Sequence, residues 1–130
     1  MSNDRLELLD FGMGLLAGLR IRGVDALSEN NIRKLHASFV KAFATAKQEF
    51  AQENVKFIIT THYSNGTSGG VESILRYWLN RSYAAYDPRN TIWMLDMDGQ
   101  SAEEILAKLP GGREVYLKAA DAFLQQYRNN

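Results

Sequence analysis

Apolar residues recur along this chain at two periods, and the changes of period mark its elements. Leu8, Leu9, Leu15, Leu16 and Leu19 fall near one face at a repeat of about 3.6 residues, which predicts a helix over 4–19. Gly12, Gly14 and Gly18 oppose it, each costing about 1 kcal/mol against alanine in a helix interior. Gly14 and Gly18 stand one turn apart, where a neighbouring element can approach closely. Met13, Leu15, Ala17, Leu19 and Ile21 also alternate, so a strand over 13–22 stays open beside the helix. Arg22-Gly23-Val24-Asp25 reads as a connection, and Ser28 as the N-cap of a long helix over 29–52. Its apolar stripe is Ile32, Leu35, Phe39, Phe43, Ala46 and Phe50. His36 sits at the stripe's edge as a half-buried structural histidine, with no partner at ligand spacing.

The β-branched and aromatic run over 55–61 predicts a strand buried on both faces. A polar loop follows, then Val71, Ile74, Leu75, Trp78 and Leu79 at amphipathic spacing predict a helix over 70–84. Asp87-Pro88 breaks it, and 91–98 reads as a second strand. Ser101-Ala102-Glu103-Glu104 has the form of a capping box before a helix over 102–109. Pro110-Gly111-Gly112 ends that helix, and Tyr116, Ala119, Ala120, Phe123 and Tyr127 mark the inner face of a last helix over 113–127. Strand, helix and strand in this order predict a right-handed crossover and a parallel pair. The expected fold is therefore α/β, a small parallel sheet of 55–61 and 91–98 joined by crossover helix 70–84 and covered by the other helices. A third strand would come from 13–22 or from a second copy of the chain.

Composition narrows the classes. The 130 residues, 45% hydrophobic and 23% charged, suit one globular domain over 1–130. Without cysteine there is no disulfide and no thiolate metal site, which fits the cytoplasm. Fifteen basic residues balance fifteen acidic ones, so no global field draws the chain to nucleic acid or an anionic membrane. The most apolar stretch, Phe11 to Ile21, is interrupted by Arg20 and falls short of the roughly 20 residues a bilayer requires. The start, Met-Ser-Asn-Asp-Arg, lacks the basic opening of a secretory signal.

Candidate chemistry gathers at the expected strand ends, because ligands of parallel α/β sheets bind beyond the carboxyl ends of the strands. There the loop offers His62, Ser64, Asn65, Thr67, Ser68, Gly69 and Gly70 in front of a helix start. Backbone NH groups at glycines, serine and threonine hydroxyls and a helix N-terminus together suit a phosphate or carboxylate. No lysine stands in the loop, so the Walker pattern is absent, and a plain strand-to-helix turn explains the same composition. His62 beside carboxylates would be a candidate acid/base, although a loop histidine is commonly just a surface group. Asp96 and Asp98, two apart on a strand, would point to one side and could share a divalent cation; a solvated strand end turning through Asp-Gly is the plain alternative.

Two resemblances touch this region. Trp93-Met94-Leu95-Asp96-Met97-Asp98-Gly99 resembles the first motif of haloacid dehalogenase-type phosphatases, which would make Asp96 a nucleophile and Asp98 an acid/base. Gln100 stands where that family has threonine, and the 32 residues after Asp98 are too few for its other motifs. Phe57-Ile58-Ile59, Tyr63-Ser64-Asn65, Ser68-Gly69-Gly70 and Glu72, followed by the strand ending at Asp98-Gly99, resemble a core stretch of certain restriction endonucleases. Thr60 or Thr61 stands where that group has its catalytic acid, no lysine follows two residues on, and the upstream proline-aspartate is missing. The resemblance implies an inactive relative.

Tyr77, Arg81, Tyr83, Tyr86 and Arg89 supply the residue types that dominate protein interfaces, or else tyrosines packed at the core's edge with a wet hydroxyl. No full catalytic constellation is spelled out, no cofactor motif is present, and whether the chain is an enzyme stays open. The leading expectation is a non-catalytic interaction or regulatory protein, of inhibitor or immunity type, that binds another protein or a second copy of itself. A small-molecule or phosphate site at the strand ends comes second, and an inactive nuclease-like fold third.

Overall fold

The glycine-rich first segment is a helix, and the others are packed round it. A computed structural model describes residues 5–52, 56–57 and 69–128, with side chains over 7–50 and 70–128. Helix α1 (Leu8–Ile21) buries Phe11, Gly12 and the whole run Gly14–Leu19, so it has no wet face through its middle. It packs against α3 (Gly69–Asn80), α4 (Gly99–Lys108) and α5 (Arg113–Arg128). The glycines permit this. A Cβ on Gly14 would run into the Tyr116 ring of α5, and one on Gly18 would stand 2.7 Å from the Tyr116 carbonyl oxygen. The Trp78 indole of α3 donates to the Gly12 carbonyl at 3.0 Å, which satisfies a buried polar group on the same helix. The alternative strand over 13–22 is thereby set aside.

Helix α2 (Ile32–Gln52) lies antiparallel to α5. Phe39 meets Phe123 edge-on at 5.0 Å between ring centroids, and Phe50 meets Tyr116 at 5.9 Å. Leu35, Phe39, Ala46 and Phe50 of the expected stripe are fully buried, Phe43 is packed against the core, and Ile32 is exposed. His36 is only 7% exposed, deeper than half-buried. The helix starts later than expected, at Ile32. Asn31 is its cap, accepting from the Lys34 NH at 3.1 Å, while Ser28 is taken up in a strand.

The sheet differs from expectation. Strands β2 (Ala26–Ser28), β4 (Ala84–Asp87) and β5 (Ile92–Leu95) form an antiparallel sheet in the order β2-β5-β4. Within the expected strand 55–61, only β3 (Lys56–Phe57) is described; it pairs in parallel with β1 (Arg5–Leu6) in a separate two-stranded sheet. The parallel pair of 55–61 with 91–98 and its crossover are therefore not the architecture. Helix α3 stops at Asn80 and not at 84. Ser82 takes a left-handed φ of 64°, its NH bonds to the Leu79 carbonyl, and the Tyr83 NH reaches back to Trp78, a Schellman ending. The freed residues become β4, which returns on β5 through a short turn. Closing so short a loop costs less entropy than a crossover. Asp87 builds the turn: its carboxylate accepts from the Arg89 NH at 3.0 Å and from the Asn90 side-chain amide at 2.8 Å.

Helix α1 ends in the same way, with Gly23 at φ 82° and bonds from Gly23 to Arg20 and from Val24 to Leu19. Arg20 then ties this end to the sheet. Its guanidinium donates to the Met97 and Val24 carbonyls at 2.7 Å and to Asp25 at 2.6 Å. Helix α4 begins at Gly99, three residues earlier than expected, and α5 closely matches its predicted span.

Gly18→Ala is expected to destabilise the protein by about 1–3 kcal/mol, the overpacking cost outweighing the roughly 1 kcal/mol that alanine gains in helix propensity. Gly12→Ala should cost less, because its new Cβ would meet only the Ile74 side chain, at 2.9 Å. Urea unfolding of the two variants measures the order.

Candidate functional site

Alternation along the strands gives the antiparallel sheet two unlike faces. Leu27, Trp93 and Tyr86 form one cross-strand row, and Leu95 and Ala84 form the next; Leu27, Trp93, Leu95 and Ala84 are buried in the core. Tyr86 packs on Trp93 at 4.8 Å between centroids. The Trp93 Nε1 is buried without a hydrogen-bond partner, a cost of about 1–3 kcal/mol that no site geometry explains. The opposite face carries Ala26, Met94 and Ala85 in register across the three strands, with Ser28, Ile92 and Asp87 in the next row. Met94, at the centre, is 51% exposed, and Ala26 and Ala85 are exposed beside it.

The two ends of the sheet are polar and closed by specific bonds. Bonds from Leu95 to Asp25 and from Glu29 to Thr91 turn alternate β2 groups toward β5, so the Ser28 NH points away from the sheet. The Tyr127 hydroxyl of α5 accepts it at 2.6 Å. That bond occupies one backbone donor on the open side of β2. At the hairpin end, Thr91 holds a left-handed φ of 51° and its hydroxyl contacts the Asn30 side chain. A hydrogen bond to Glu29 and partial burial hold the Tyr86 hydroxyl above the usual phenol range. The Asn90 side chain, with two backbone NH groups, holds Asp87 below the usual carboxylate range.

Asp96 and Asp98 follow β5 in extended chain, both exposed, with Met97 buried between them and its carbonyl on Arg20. Asp98 has a structural task. It is the N-cap of α4, accepting from the Ser101 NH at 2.6 Å, and that bond lowers its pKa. The capping residue is therefore Asp98 where the sequence pattern pointed to Ser101. Among the described residues no three histidine, aspartate or glutamate side chains come together as a metal site. His62, Ser64, Asn65, Thr67 and Ser68 lie outside the described residues; Gly69 and Gly70 form the first positions of α3. Strands β3 and β5 belong to different sheets, which removes the shared parallel sheet edge that placed this loop beside the aspartates.

The tyrosine and arginine candidates divide. Arg81 sits over the Tyr77 ring at 5.2 Å, a cation–π pair at the end of α3. Tyr83 is packed against the core, Tyr86 lies on Trp93, and Arg89 is exposed in the hairpin turn. Sequence reasoning missed Ala26, Ala85 and Met94. The signal available was Asp87-Pro88-Arg89-Asn90, a turn sequence between two short runs, which marks a hairpin and so a sheet with an outer face.

Asp98→Ala is expected to lower Tm by on the order of a few degrees through loss of the cap. Because the folded state depresses this carboxyl's pKa, the stabilisation is complete above about pH 4 and is lost as pH falls through the folded value. Thermal melts of variant and parent should therefore converge in acid. Comparison of the chain with known protein families, with curated proteins and with solved structures finds no match.

Proposed function

We propose that this is a non-catalytic interaction protein, a regulator or partner-binding module that engages another protein through the outer face of its antiparallel sheet. The observation that carries this reading is the row Ala26–Met94–Ala85. An antiparallel sheet with one wet face ordinarily alternates apolar inward and polar outward. Here the outward positions are alanine, methionine and isoleucine, with polar Ser28 and Asp87 only in the second row. Small residues flanking a flexible, polarisable thioether make a surface that adapts to an apolar side chain of a partner.

The row is much smaller than the roughly 800 Å² each partner contributes to a standard interface, so it serves as the central anchor within a wider contact. Exposed Arg81, over the half-buried Tyr77 ring, and exposed Arg89 are residue types enriched in such contacts.

A photo-crosslinking p-benzoylphenylalanine at position 94, with the same group at Glu72 on α3 as control, tests the reading in cells that make the protein. Adducts of defined mass from position 94 and none from position 72 are expected, and a doubled chain mass identifies a second copy as partner. Equal labelling from both positions, or none from 94, contradicts the reading.

A further inference from the structure

We draw no further inference here: the strongest candidate, the open groove along α5 lined by Asp121, Leu124, Gln125 and Arg128, carries nothing, because its one carboxylate is already paired with Arg22 and nothing in the structure shows what covers it.

Discussion

The contact on which the rest depends is the close approach of α1 to α5 at Gly14 and Gly18. A helix with no side chain at those positions can lie with its backbone against Tyr116 and Ala120. That lets Phe11, Leu15, Leu16 and Leu19 bury completely while α3 and α4 also pack on the same helix. Glycine is a poor helix residue in isolation, so the tertiary contact sets the helix against local propensity. The consequences run outward from the end of α1. Gly23 stops it, Arg20 reaches the carbonyls of Val24 and Met97, and those two bonds fix where the sheet begins and where α4 follows it.

Much of the helical part was legible because burial on one face leaves a periodic trace. The α2 stripe through Leu35, Phe39, Ala46 and Phe50 and the α5 stripe through Tyr116, Ala120 and Phe123 are both in the core as read. The close approach at Gly14 and Gly18 was legible from spacing alone. The sheet was not. Ala84-Ala85-Tyr86-Asp87 continues a helical pattern and contains two strong helix formers, so within the run itself nothing announces a strand, and the only local signal is the turn sequence that follows it. Its strand state follows from the left-handed Ser82, where backbone bonds close the helix, and from the turn held by the Asp87 carboxylate. Ala26–Ser28 is too short to show a period at all. The crossover expectation failed for that reason: an apolar run does not say which run it pairs with.

The candidate site followed the same division. Asp96 and Asp98 are exposed on either side of a buried Met97, which alternation could foresee, but the cap that engages Asp98 is a matter of where α4 starts. The outer sheet face was hidden because it exists only once the hairpin is known. Its content is nevertheless simple. The core takes every second residue of β5, Trp93 and Leu95, and leaves Ile92 and Met94 to the other side, where Ala26 and Ala85 stand beside Met94. A face that is apolar yet contributes nothing to the core is the feature on which the functional account stands.

That separation can be measured directly by comparing two neighbours on β5. Urea unfolding of Met94→Lys should lie within about 0.5 kcal/mol of the parent, because an exposed position away from the core carries little stability. Leu95→Ala should cost about 2–5 kcal/mol, the range for a leucine deleted from a packed interior. A loss at Met94→Lys comparable to that at Leu95→Ala would show that the outer face is part of the folding core, and would contradict its assignment as a surface left free for a partner.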